Sequence, residues 1–229
     1  MSNPSVVRVF NSTVLPNLTS IGFQQLGGKK YVRVRDDICQ FLFLHVESRI
    51  RREFMLEYSA MLIVQPHDFV CLDPGGRLPD RNGGWYPAHN DQRLTESVGL
   101  AADQVRQTLV PWYEGCITIQ AFVETYHEYA KRNGHLARNG HAHFTLACAH
   151  AKNNEATVAM THARQAIEDY KAIYTDRPAC TWAKIGAERS RQLLDAVTES
   201  SHDKLLTQWR SHTIESLKLA PVVDTTNEG

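Results

Sequence analysis

Hydrophobic residues recur at Val6, Phe10, Val14 and Leu18, a spacing of four that predicts an amphipathic helix closed by Gly22. Pro16 interrupts that helix, because an interior proline has no N–H to donate and its ring collides with the preceding turn. The period then shortens to two. Val32 and Val34 alternate with Arg33 and Arg35 between Tyr31 and Arg35, and the even positions from Phe54 to Val64 are apolar, so both segments read as half-buried strands. Between them Ile38 to Val46 is apolar on both faces, the pattern of a central strand covered on each side. The gaps Arg35-Asp36-Asp37 and Ser48-Arg49-Ile50-Arg51-Arg52 are short enough for turns, which makes the arrangement an antiparallel meander. A fourth apolar run, Phe69 to Leu72, leads into Asp73 to Gly84, where Pro74, Pro79 and the pairs Gly75-Gly76 and Gly83-Gly84 predict a long loop.

From residue 90 the helical period returns. Asn90 or Asp91 caps a helix carrying Leu94, Val98, Ala101, Val105 and Leu109, which Pro111 is expected to end. Further helices follow on Ile119 to Ala130, on His141 to Lys152, on Val158 to Tyr170, on Trp182 to Val197 and on Leu205 to Leu217. The predicted fold class is α+β, an antiparallel meander of about four strands packed on helices and followed by an α-helical hairpin extension. Residues 1–115 form the α+β domain, 116–221 the helical extension and 222–229 a flexible tail.

Charge and composition narrow the function classes. Lys+Arg and Asp+Glu both number 25, so the net charge is zero and a uniformly basic nucleic-acid binder or an acidic disordered chain is excluded as a whole-chain description. Five cysteines, Cys39, Cys71, Cys116, Cys148 and Cys180, are odd in number and form no C-x-x-C pair, so they read as buried thiols of a reducing compartment. The first residues lack a basic stretch followed by an apolar one, and no apolar run approaches the ~20 residues of a membrane helix, which makes the cytoplasm the expected location.

No catalytic motif emerges. The glycine-rich loop lacks both the Gly-Lys-Ser/Thr ending and the G-x-G-x-x-G spacing that hold phosphates, and no G-x-S-x-G elbow is present. Two Glu-x-x-His pairs, Glu124 with His127 and Glu199 with His202, suggest a di-iron bundle, but the second straddles a helix break at Ser200-Ser201. Within residues 29–52, seven basic side chains (Lys29, Lys30, Arg33, Arg35, Arg49, Arg51, Arg52) face only Asp36, Asp37 and Glu47, a local basic surface hidden in the zero average. Trp85-Tyr86-Pro87 and Pro111-Trp112-Tyr113 supply aromatic anchor candidates, with Trp112 better read as a clamp on the sheet.

The order Leu18-Thr19-Ser20-Ile21-Gly22-Phe23, then Lys30-Tyr31-Val32-Arg33, then Gln40 inside an apolar strand, a second strand, a proline- and glycine-rich loop and a tryptophan before a helix resembles the DUF4304 family of uncharacterised, mainly bacterial proteins. The resemblance covers residues 5–115 and implies a small α+β domain of unknown function, with no catalytic residues to carry over. The strand from Phe54 departs from that pattern in lacking a glycine-containing ending, and the helical half lies outside it. That half resembles one tetratricopeptide unit at Leu146, Ala147, Ala159, Ala163 and Ala166, whereas a stable array takes about three, so a helical hairpin is expected.

The expectation is a non-enzymatic, cytoplasmic protein-interaction protein of bacterial or phage type, an immunity or inhibitor protein that occludes a partner. Its partner surface is placed on Arg33, Arg35, Arg49, Arg51, Arg52, Arg77, Arg81, Trp85 and Tyr86. The partner is a protein, a second copy of the chain being one candidate, and neither a membrane, a metal nor a cofactor is called for. One alternative is a metal-dependent hydrolase using His127, His141, His143 and His150, and another is nucleic-acid binding through the basic meander.

Overall fold

A computed structural model of the chain describes residues 5–47, 52–80, 83–133 and 139–223. Two compact units divide them, one of Met1–Met61, Cys71–Ile117 and Val222–Gly229, the other of Leu62–Val70 and Thr118–Pro221.

The first unit opens with α1 (Val6–Thr13) and α2 (Leu15–Thr19), broken at Val14 so that Pro16 falls in the first turn of the second helix, where no N–H is needed. Gly22 ends α2 at φ +92°, and the Phe23 N–H returns to Leu18 O at 3.0 Å to satisfy a free carbonyl. The sheet runs β1 (Gln24–Gln25), β2 (Lys30–Arg35), β3 (Ile38–Glu47), β4 (Glu53–Leu62), β5 (Gly75–Leu78), with β6 (Tyr86–Pro87) also on β4. The pairs β1–β2, β2–β3, β4–β5 and β4–β6 are antiparallel, and β2 faces β3 in a register that sets Arg33 opposite Gln40. Alternate residues Tyr31, Leu42 and Leu44 join Phe10, Val14 and Leu18 in the core, together with Leu94, Val98 and Val105 from the helical stretch after the sheet.

Two expectations for the sheet change. Phe69 to Leu72 forms no strand, and Phe69 is 73% exposed. The strand arises instead inside the predicted loop, at Gly75–Leu78, because glycine permits an approach that a side chain forbids: a Cβ on Gly75 would lie 2.2 Å from Tyr58 O and 2.6 Å from Leu72 O. Gly75→Ala is therefore expected to lower stability by about 1–3 kcal/mol. Urea unfolding reads the loss, and an unchanged midpoint would show that this contact relaxes freely.

Asn90 caps α3 (Asp91–Gln104), its side chain accepting from the Arg93 N–H at 2.8 Å. Pro111 does not end the helical run. A π-helical turn, Val105–Leu109, widens the coil, the Val110 N–H reaching back to Val105 O, and Pro111 then occupies the first turn of α4 (Val110–Glu114). That extra turn carries Trp112, Tyr113 and Glu114, and Trp112 packs edge-on against Tyr58 at 4.9 Å.

The second unit contains α5 (Ile119–Asn133), α6 (Gly140–Lys152), α7 (Ala156–Asp176), α8 (Thr181–Thr198) and α9 (His202–Ser216). α6 touches α5, α7, α8 and α9, and its buried residues, among them Ala142, Phe144, Leu146, Cys148 and Ala151, lie on every side, as they must in a surrounded helix. Ala159, Ala163 and Ala166 of α7 and Ala183 and Ala187 of α8 are buried, and their small side chains let helix axes approach closely. The break between α8 and α9 is at Ser200, φ +56°, so Glu199 and His202 do not share a helix. Of the tail expected over 222–229, Val222 and Val223 are buried in α10 (Ala220–Val223), and the rest lies outside the described residues.

Candidate functional site

Arg33 is not a surface residue. Its place in β2, opposite Gln40, points the side chain toward the α4 end, and it is 1% exposed. The Nε–H donates to Gln40 Oε1 at 2.7 Å, Nη1 donates to Ile21 O at 2.7 Å and to the Glu114 carboxylate, and Nη2 donates to Tyr113 O at 3.1 Å. Gln40 Nε2 donates to Tyr113 O and Cys116 O at 2.8 and 2.7 Å, and the Tyr113 hydroxyl donates to Phe41 O at 2.7 Å. The guanidinium also lies 5.5 Å from the centre of the Phe23 ring. This polar knot satisfies the carbonyls at the C-terminal end of α4 with a cation and an amide, where the helix dipole favours positive charge. It is structural, so Arg33 leaves the proposed partner surface.

Tyr86 leaves it too. It is fully buried in β6, stacked 4.8 Å from Phe54, and its hydroxyl hydrogen-bonds the Gln104 side chain. Arg77 is exposed but sits on β5 against Glu57, 3.4 Å away, and Glu57 also holds His45 at 3.0 Å. Arg35 is exposed at the opposite end of β2 from Lys30. Arg49, Arg51 and Arg81 lie outside the described residues. What remains together is one end of the sheet. There a groove of 650 Å³ runs past the Gly27-Gly28 turn, Lys29, Lys30, the end of β3 from Phe43 to Glu47, and Trp85, a residue 37% exposed. The exposed Arg52 adjoins it, its N–H donating to Glu47 Oε2 at 3.3 Å.

The histidines of the second unit are brought together more than their spacing suggests. His143 and His162 place their Nδ1 atoms 2.9 Å apart, and His150 stacks on His162 at 5.5 Å with an interplanar angle of 3°. His127 lies close enough that His150 and His143 add to burial in lowering its pKa. Burial first, then the three neighbouring imidazoles, hold His162 down to a pKa of about 4. His162 escaped the sequence reading because a lone histidine in α7 has no local partner, and only the packing of α7 on α6 supplies one. His141 is elsewhere, 6.3 Å from His67 in an edge-on contact. Imidazole lone pairs lie in the ring plane, so parallel stacked rings do not aim them at a common point. No group of three or more His, Cys, Asp or Glu among the described residues is arranged to hold a metal ion. Protonation of His162 is opposed by the neighbouring rings of His143, His150 and His127.

None of the five cysteines forms a disulfide, and burial pushes the Cys39 and Cys148 thiols well above their ordinary range, which makes those two poor nucleophiles. Among the described residues no helix is long and apolar enough to cross a membrane. Comparison of the chain with protein-family models, with curated proteins and with solved structures returned no match.

Proposed function

We propose that the protein is a non-enzymatic interaction protein that docks an acidic, aromatic-containing protein segment in the groove at the basic end of its sheet. The observation that carries this reading is the juxtaposition of the part-exposed Trp85 with Lys29 and Lys30 around 650 Å³ of open groove. An indole offers a large rigid contact area and two ammonium groups offer attraction to carboxylates, the pairing of anchor and steering charge found at binding hot spots. The reading includes a cytoplasmic location, supported by five cysteines that form no disulfide. It also includes kinship of residues 5–115 with the DUF4304 family. In support, Ile21, Phe23, Arg33 and Gln40, on which that resemblance rests, all meet in the buried knot, so their joint presence answers a packing need.

Peptides selected from a display library against the whole protein are expected to be acidic and to contain aromatic residues. Their affinity is expected to fall about tenfold in Lys29→Glu and again in Trp85→Ala, roughly 1.4 kcal/mol each. Selected peptides that are basic, or that bind both variants as they bind the parent, would sink the proposal.

A further inference from the structure

A second cavity lies wholly within the helical unit. It encloses 270 Å³ between the segment 65–69 and the helices α6, α7 and α8. Six buried side-chain atoms among the described residues have no hydrogen-bond partner, and two of them, Gln65 Oε1 and His67 Nε2, belong to residues lining this one cavity. Gln65 is 2% and His67 6% exposed. Unmet polar groups at that depth are uncommon in folded proteins, and two beside the same empty volume call for a shared cause.

The segment that presents them is fixed. Thr213 Oγ1 donates to Gln65 O at 2.7 Å and accepts from the His67 N–H at 3.1 Å, while Arg189 Nη1 donates to Pro66 O at 3.1 Å. Asp68 is already engaged by His212 at 2.8 Å and Arg189 at 3.4 Å. The His67 ring makes a hydrogen bond with the Leu62 backbone, which assigns the proton to Nδ1 and leaves Nε2 as a bare acceptor. Both orphaned atoms therefore ask for a donor.

The remaining wall is apolar and aromatic. Tyr170 and Trp182 meet edge-on at 6.3 Å, and Trp182 and Ile185 at the mouth are 56% and 51% exposed despite their size. The chain gives up helix propensity to seat Tyr170 there: a Cβ on Gly186 would come within 2.5 Å of its ring and one on Gly140 within 2.8 Å. Arg189 and Asp68 of the same lining pair with each other at 3.4 Å, so the wall offers an ionic ligand little uncompensated charge. Carboxylates and phosphates bring further acceptors to the two acceptors already present.

We propose that this cavity binds a small, uncharged aromatic amine or amide, its ring between Tyr170, Trp182 and Ile185 and its N–H groups donating to Gln65 Oε1 and His67 Nε2. The volume, worth about nine waters at roughly 30 Å³ each, sets the ligand at on the order of ten non-hydrogen atoms. Benzamide is a suitable probe, and methyl benzoate keeps its shape without the donor. Titrated into the full chain, benzamide is expected to give saturable NMR shifts at the Ile185 methyls and to move the His67 Nε2 nitrogen upfield as it accepts a hydrogen bond. Methyl benzoate is expected to bind about tenfold more weakly, the worth of one hydrogen bond. Trp182→Ala, at a position 56% exposed, is expected to weaken both probes, and His67→Phe to narrow the difference between them, leaving the share that Gln65 supplies. Equal binding of the two probes, or no saturable shift up to about 10 mM benzamide, the millimolar range in which a weak fragment still registers, overturns the proposal.

Discussion

Replacing Arg33 with methionine is expected to lower the stability of the sheet-bearing unit by about 3–5 kcal/mol, because its buried guanidinium is the donor to several buried acceptors at once. Methionine keeps most of the aliphatic stem, so the loss isolates the guanidinium from the packing. Four acceptors lose a donor at once: Gln40 Oε1, Ile21 O, the part-exposed Glu114 carboxylate and Tyr113 O, which keeps only its bond from Gln40. Leaving buried acceptors unmet costs about 1–3 kcal/mol apiece before relaxation. Lysine does not rescue the site, because a single ammonium cannot span the fan of directions that the planar guanidinium serves. Glu114→Gln is the informative contrast. Its side chain is 47% exposed, so water replaces what is lost and the change is expected to stay near 1 kcal/mol or below. Urea unfolding of the full chain gives the magnitude, and hydrogen exchange at the amides of β2 and β3 localises it. An Arg33→Met protein within about 1 kcal/mol of the parent would mean that the knot is an ornament of the fold and not a fastening.

The helical half was legible because its signal is local. Ala130, Lys152 and Val197 close helices near where the apolar period fades, and Asn133, Pro178 and the Ser200-Ser201 pair punctuate them. In the sheet the strands β2, β3 and β4 were also readable, since period-two alternation is a property of the strand itself. What alternation does not reveal is which face a polar residue occupies. Arg33 looked like the outward half of an alternating strand, yet it shares its face with the core residue Tyr31. The warning was Gln40, an amide in the middle of an apolar run, which is tolerable only with buried partners, and its cross-strand neighbour is Arg33. Gly75-Gly76 misled in the opposite sense: glycine marks turns on average, but here Gly75 marks a close backbone approach that leaves no room for a Cβ. The candidate sites were less readable than the fold for a geometric reason. Trp85 and Lys29 are more than fifty positions apart in sequence and Gln65 and Trp182 more than a hundred, and no local pattern encodes such meetings.

Stability of the helical unit is expected to fall by about 2–3 kcal/mol between pH 7 and pH 5, well above the range where carboxylates ordinarily titrate. The direction follows from His67, whose pKa is lowered to about 3, chiefly by burial and secondarily by the nearby charges of His141 and Arg189. The unfolded chain takes up a proton on that ring near pH 6.5, whereas the folded one resists until about pH 3, so between those values the unfolded state binds more protons and stability rises with pH. Below about pH 6.5 each unit costs about 1.4 kcal/mol per such group, which gives His67 about 2 kcal/mol at pH 5. His162, lowered to about 4 by burial and by His143, His150 and His127, acts in the same sense, but its partial exposure to water reduces its share to about half that or less. Asp68, lowered by its hydrogen bond to His212, loses its contribution only below the usual carboxylate range and does not compete in this window. His67→Phe removes the principal titrating group, and the slope between pH 7 and pH 5 is expected to flatten by about 2 kcal/mol, whatever that substitution does to stability at pH 7. His162→Asn tests the stack separately and flattens the slope by less. Unfolding curves at the two pH values for the parent and the two variants decide the matter: a parent whose stability is level across the interval would mean that His67 is solvated by a route that leaves its ring free to ionise.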